Sequence, residues 1–121
     1  MLCAGLGLSA CLGTSEPQPT AAALRFDAGG AAVEGISGRT GLRIDFGRAQ
    51  TGVIDTVSRL KATRPVASFG PDLCGPGIST VRYPDRLWLV FTEGTFTGWM
   101  RPDPSGTGIL QAGQSCEMPV L

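Results

Sequence analysis

Residues 87–99 read Leu-Trp-Leu-Val-Phe-Thr-Glu-Gly-Thr-Phe-Thr-Gly-Trp, and they contain two predicted strands with the turn between them. The apolar run 87–91 has no polar face, which is typical of a central strand that is covered on both sides, or of one covered by a helix on one face and by the tether or a partner on the other. A Thr-Glu-Gly turn follows it, and residues 95–100 alternate as a half-buried strand does. Another strand is predicted at 78–83, and the Pro-Asp pair after it favours a turn. Together these segments predict a three-stranded antiparallel meander.

One amphipathic helix is predicted ahead of the meander, over about 12 residues. Its apolar side chains share one helix face because of their spacing: Val53, Ile54, Val57 and Leu60. Thr51 suits the N-cap of this helix, and Pro65 is expected to end it. The pattern indicates a helix that covers a sheet.

Shorter strands are predicted at 24–26 and 42–46, and one more at 108–112. Between the first two, glycines predict turns. The spacing Gly35-x-x-Gly38-x-x-Gly41 resembles an anion cradle, but it runs into a strand and lacks the helix N-terminus that a phosphate loop needs. The predicted fold class is α+β, with one amphipathic helix packed on an antiparallel β-meander of three to five strands.

Composition excludes several functions. The chain has 121 residues, which is about one domain. Its 10 Lys and Arg balance its 10 Asp and Glu, so it offers no basic strip for nucleic acid. The absence of His removes the commonest general base and metal ligand, and no metal or cofactor is predicted. Asp and Glu are scattered over turns and polar strand faces, which predicts solvated surface.

The N-terminus resembles a bacterial lipoprotein signal, because an uncharged run ends in Leu8-Ser9-Ala10-Cys11. The resemblance implies cleavage before Cys11 and acylation of its thiol. It divides the chain into a signal peptide (1–10), a lipidated flexible tether (11–23) and a single α+β domain (24–121). The segment departs from such a signal in one respect, because residues 1–10 contain no Lys or Arg, and a buried N-terminal strand or helix is the alternative.

The same resemblance implies a location. Acyl chains would hold the protein on a membrane surface of the bacterial cell envelope. A residue other than Asp after the lipidated cysteine, here Leu12, implies the outer membrane facing the periplasm. The remaining cysteines, Cys74 and Cys116, are then expected to form a disulfide in an oxidising compartment. A free structural or partner-linked cysteine and a catalytic thiolate at Cys74 are the alternatives.

Three segments carry a further resemblance. They are the strand–Phe-Gly–helix pattern over 44–60, the Cys74-Gly75 pair and residues 87–99. They resemble a group of small bacterial lipoproteins and, more remotely, the SmpA/OmlA lipoproteins and the β-lactamase-inhibitor-like fold. That resemblance implies helices packed on one face of an antiparallel sheet. SmpA-type proteins have two helices before the sheet, whereas one is predicted here, and no functional residue carries over.

The sequence is compatible with two functions. The first is a non-enzymatic, lipid-anchored binding or assembly-accessory domain that holds another envelope protein. For it, Trp99 is a candidate exposed anchor helped by Arg101, although Trp99 packed under the helix or the Pro-rich loop is the alternative. The second is a small ligand-binding or hydrolytic lipoprotein with a pocket near the Gly-rich loop. Trp88 is expected in the core.

Overall fold

The computed structural model describes residues 23–34 and 42–116. The predicted signal peptide, Cys11 and most of the tether therefore lie outside the described residues, as do Gly35, Gly38 and Gly41.

The described chain forms eight strands and two helices. In order they are β1 (Ala23–Asp27), β2 (Gly30–Glu34), β3 (Arg43–Asp45), α1 (Gln50–Lys61), β4 (Ala67–Phe69), α2 (Pro71–Cys74), β5 (Ile78–Arg82), β6 (Trp88–Thr92), β7 (Thr95–Pro102) and β8 (Ile109–Gly113). Strands β1-β2-β3 form a small antiparallel sheet, and β4-β5-β6-β7-β8 form a large antiparallel meander. The predicted α+β class is confirmed, with one helix of 12 residues. Neither described helix is long and apolar enough to cross a membrane.

Strand β6 is the centre of the large sheet. Its residues Trp88 to Phe91 are all buried, as the unbroken apolar run predicts. The two predicted turns that flank it are present. Arg86 N–H donates to Tyr83 O (2.9 Å) across the Pro-Asp turn. In the second turn Glu93 and Gly94 both have positive φ, 52° and 78°, as a two-residue hairpin requires.

Helix α1 differs from its prediction at both ends. Ala49 is the N-cap, without a side-chain cap hydrogen bond, so the prediction of Thr51 as the cap is wrong. The large sheet holds this end instead, because Gln50 N–H donates to Gly94 O (2.8 Å). The helix ends at Lys61, where Ala62 turns left-handed (φ 57°), so Pro65 does not set the end.

Three elements were not predicted: β2, β4 and α2. Strand β2 lies in the glycine stretch that predicted turns alone. Gly30 begins it with φ 137°, and a Cβ there would meet Ile44 O at 2.3 Å, so the glycine permits close pairing of β2 with β3. Strand β4 and α2 are only 3 and 4 residues long, too short for a periodic sequence signal.

The large sheet has two covered faces. We call one the helix face; its buried residues Val81, Leu89, Phe91, Phe96 and Trp99 pack with residues of α1 and of the small sheet. We call the other the disulfide face; there Trp88, Val90, Met100 and Cys116 form a second cluster, with Phe69, Cys74 and Ile78 packed against it. The small sheet and α1 therefore share one side of the meander.

Candidate functional site

The predicted disulfide joins Cys74, the last residue of α2, to Cys116 after β8. Their Cα atoms are 5.0 Å apart, and 42 positions separate them in sequence. Cys116 is 2% exposed and packs with Trp88, Val90 and Met100. The bond removes the thiol that a catalytic cysteine needs, so the alternative of a thiolate at Cys74 is wrong.

Trp99 is not an exposed anchor. The residue is 4% exposed, and its indole N–H donates to Asp27 O (2.7 Å). Its ring lies 5.4 Å from the Phe26 ring, centroid to centroid. The interpretation of Trp99 as a surface anchor is therefore wrong, and the small sheet covers the ring where the helix or the Pro-rich loop was expected. Trp88 is in the core as predicted.

Arg101 was predicted to assist an exposed Trp99, but it lines a cavity instead. It lines a cavity of about 420 Å³, which we call the mixed-charge cavity, together with Lys61, Asp85 and Asp103. The apolar floor consists of Leu24, Phe26, Leu60 and Leu87. The buried Nε of Arg101 has no hydrogen-bond partner among the described residues. Arg101 is thus associated with a cavity and not with an exposed tryptophan.

Each of the two carboxylates of the mixed-charge cavity already accepts a hydrogen bond from a neighbouring group. Asp85 accepts from Lys61 Nζ. Asp103 accepts from Ser105 N–H, which lowers the pKa of this carboxyl. A general acid needs a raised pKa, so Asp103 has the opposite environment.

A larger cavity, about 590 Å³, lies between β2, β3 and α1. We call it the arginine cavity, because two guanidinium groups are the charges on its described wall. Its lining residues are Val33, Leu42, Arg43, Ile44, Arg48, Ala49, Gly52, Val53, Thr56 and Leu60. Six of these are apolar, and none of these lining residues is acidic, a serine or a cysteine. Val33 and Leu42 flank the glycine-rich stretch in sequence, where the pocket of the second function was predicted.

The two arginines differ in their partners. Arg43 donates to both carboxylate oxygens of Asp27 (2.8 and 2.9 Å) and to Asp45 (2.6 Å). These bonds raise the pKa of Arg43, and the Arg43 hydrogen bond, with one from Gly29 N–H, lowers the pKa of Asp27 from 3.8 to about 2. Arg48 is exposed, and its guanidinium makes no ion pair or side-chain hydrogen bond with the described part of the chain.

A hydrolase could use a serine next to a side chain that accepts its proton, and the pair Ser58 and Tyr83 is the arrangement to consider. Their oxygens are 2.8 Å apart, beneath α1. Tyr83 is fully buried, burial raises the pKa of its phenol, and its hydroxyl also donates to Ile54 O (3.3 Å). Ser58 also borders a smaller cavity of about 240 Å³, but its hydroxyl and that of Tyr83 are buried and satisfy each other, which indicates a structural role.

The sequence analysis placed a pocket near the glycine-rich stretch but missed Arg48 and the part of the arginine cavity that α1 forms. One signal pointed to the cavity: Gly52 stands within a helix, where glycine is unfavourable and calls for a packing or functional reason. Residues 23–34 and 42–116 contain no group of three or more Cys, Asp or Glu that could hold a metal ion. Searches of family models, curated proteins and solved structures find no match to this chain. The lipoprotein resemblance stays a prediction.

Proposed function

We propose that this chain is a lipid-anchored cell-envelope protein with a non-enzymatic binding or assembly-accessory domain. The observation that carries the proposal is the Cys74–Cys116 disulfide. Disulfides persist in exported proteins and are rare in reducing compartments, so this bond supports export. The Leu8–Cys11 pattern supplies the anchor in the proposal, with the acyl group on Cys11.

Replacing the proposed acylation site tests the anchor. Cys11→Ala in a bacterial expression host should abolish incorporation of labelled palmitate and move the protein out of the membrane fraction. Cys3→Ala is the matched control, because Cys3 lies in the proposed signal peptide and should leave labelling unchanged. Labelling that survives Cys11→Ala would contradict the anchor.

The proposed outer-membrane location rests on Leu12, the residue after the proposed acylation site. Leu12→Asp should shift the protein from the outer to the inner membrane when membranes are separated by density. Leu12→Asn changes the same position without adding a charge and should leave the distribution as it is. An unchanged distribution in Leu12→Asp would contradict the outer-membrane assignment.

An envelope-protein partner belongs to the same proposal. Cross-linking in intact cells followed by mass spectrometry of the purified adducts should recover the same protein partner in repeated experiments. Adducts with lipid alone would count against an assembly-accessory role.

Ligand binding is the second candidate function, and a specific observation favours it. The arginine cavity of about 590 Å³ is within the usual range for small-molecule sites and is mostly apolar with a few polar groups. We propose binding without hydrolysis, since the described wall of the cavity supplies two arginines and a threonine as its polar side chains. A ligand that shifts backbone amide resonances of α1, β2 and β3 would support this function.

A further inference from the structure

We infer that the arginine cavity takes a small amphipathic anion, with an alkyl chain along the apolar wall and a carboxylate or phosphate at Arg48. This inference rests on the second candidate function and adds the chemical class of the ligand. Three features of the described residues support it: the apolar lining of the cavity, the charge of Arg48, and the position of Arg48 before the start of α1.

The wall is suited to an alkyl chain. Val33, Leu42 and Ile44 form the side of the small sheet, and Val53 and Leu60 form the side of α1. Burying apolar ligand surface on such a wall contributes about 25 cal/mol per Å², so each methylene adds affinity. A wholly polar ligand would leave this wall unused.

The charge of the wall selects an anion. Asp27 and Asp45 already offset the charge of Arg43 through three hydrogen bonds. The Arg48 guanidinium has no such partner among the described residues, and no described lining residue is acidic. A carboxylate or phosphate would accept two parallel hydrogen bonds from N–H groups of the Arg48 guanidinium. In the mixed-charge cavity, by contrast, Asp85 and Asp103 balance Lys61 and Arg101.

The placement of Arg48 gives the ligand a direction. Arg48 precedes α1, and the helix residues of the wall run from Gly52 to Leu60. At 1.5 Å per residue these positions span about 12 Å along the helix. The anionic head therefore lies near the start of α1, and the alkyl chain runs toward Leu60. A chain of roughly ten to twelve carbons suits this span.

Dodecanoate is the probe, used below its micelle-forming concentration with the oxidised full chain. Calorimetry should give saturable 1:1 binding, and amide resonances of α1, β2 and β3 should shift. Dodecanol, the neutral analogue, should bind about tenfold or more weakly because it lacks the charge for Arg48. Dodecyltrimethylammonium should not bind at this site. Dodecyl phosphate is the second anion: tighter binding than dodecanoate indicates a lipid headgroup, and weaker binding a free fatty acid.

The charge is tested by Arg48→Gln, which should weaken dodecanoate binding about tenfold and leave dodecanol binding unchanged. Arg59→Gln, within α1, is the matched control, since Arg59 pairs with Asp55 and lies outside the arginine cavity. It should leave both affinities unchanged. Equal losses in the two variants would overturn a specific role for Arg48.

The cavity itself is tested by Gly52→Leu. A Cβ at Gly52 meets nothing within 4 Å, and leucine is a better helix former, so the variant should fold while its side chain fills the cavity. Dodecanoate binding should be lost. Thr51→Leu adds the same side chain at an exposed neighbour outside the cavity and should bind normally.

The outcomes separate the two proposals. Equal binding of dodecanol and dodecanoate would overturn the anionic class while leaving the cavity as an apolar binding site. Amide shifts confined to the mixed-charge cavity would overturn the assignment to this cavity. If neither compound binds to wild type, the inference and the second candidate function both fail.

Discussion

The two faces of the large sheet are covered in different ways. On the disulfide face, α2 and the segment after β8 are short, and a covalent bond holds Cys116 against Trp88 and Val90. On the helix face, α1 and the small sheet cover the strands by packing and hydrogen bonds, including the bond from the Trp99 indole to Asp27 O. Residues of α1 and of the small sheet line both the mixed-charge cavity and the arginine cavity.

The difference shows how a small domain can combine a fixed side with a side that has room for a ligand. Short covering elements bury little apolar area, so the cross-link supplies stability that packing does not. The helix face has longer covering elements, and they leave space where α1 meets the small sheet. The following variants test this contrast.

Removing the disulfide should have the largest effect. Cys74→Ala with Cys116→Ala should lower the free energy of unfolding by about 4 kcal/mol, because the loop between them is no longer constrained in the unfolded chain. Urea denaturation measures the change. Reductant should destabilise wild type by a similar amount and leave the double variant unchanged. A double variant as stable as wild type would remove the contrast between the faces.

A matched pair of valines compares packing on the two faces. Val90→Ala on the disulfide face should cost about 1–3 kcal/mol of unfolding free energy, since Val90 is fully buried. Val53→Ala should cost less, because Val53 borders the arginine cavity and its side chain has fewer neighbours on that side. Urea denaturation of both variants measures which one loses more free energy of unfolding. A larger loss for Val53→Ala would contradict the expectation that the arginine cavity weakens packing around Val53.

Gly52→Ala should stabilise the protein by about 0.5–1 kcal/mol, because alanine is the better helix former. The new methyl group has open space within 4 Å. Gly98→Ala is the contrasting variant in the large sheet: its Cβ would meet Gln114 O at 1.9 Å, so it should destabilise. Thermal unfolding should show a higher melting temperature than wild type for Gly52→Ala and a lower one for Gly98→Ala. A destabilised Gly52→Ala variant would contradict the open space beside α1.

The smallest effect should come from the ion pair of the small sheet. Folding lowers the Asp27 pKa from 3.8 to about 2, so its stabilisation is present above pH 3.8 and is lost as pH falls through about 2. The side chains are partly exposed, so solvent screens the pair and its contribution to the free energy of unfolding should be small. The stability difference between wild type and Asp27→Asn, measured by urea denaturation, should shrink from pH 5 to pH 2. A difference independent of pH would contradict the lowered pKa.

Sequence patterns predicted the elements with strong local signals. The apolar run at 87–91, the Glu93-Gly94 turn and the spacing of Val53 and Val57 are strong local signals, and the strand, turn and helix that they predict are present. Strand β2 escaped prediction because its pairing depends on Gly30 approaching Ile44 O across the small sheet. Periodicity describes one segment at a time and contains no information about such an approach.

The candidate site also contains features that the sequence could predict and features that it could not. The Cys74–Cys116 pairing could be predicted, because few cysteines remained once the N-terminal ones were assigned. The position of Trp99 could not, since simple alternation puts it opposite Phe96, whereas a register shift beside Val90 and Phe91 puts both rings on the helix face, where the small sheet covers Trp99. Arg48 has no distinctive sequence signal either. Its importance arises because Asp27 and Asp45 pair with Arg43 and leave Arg48 without a carboxylate among the described residues.

By itself the sequence determined the α+β class, the amphipathic helix, the central strand and the disulfide pair, because these depend on local periodicity, turn chemistry and cysteine count. The tertiary structure decided which side of the meander the small sheet covers, how Trp99 is buried and where a cavity remains. Those features depend on contacts between segments that are distant in sequence, such as Trp99 with Asp27 and Gln50 with Gly94, and packing between distant segments is set only when the whole domain folds.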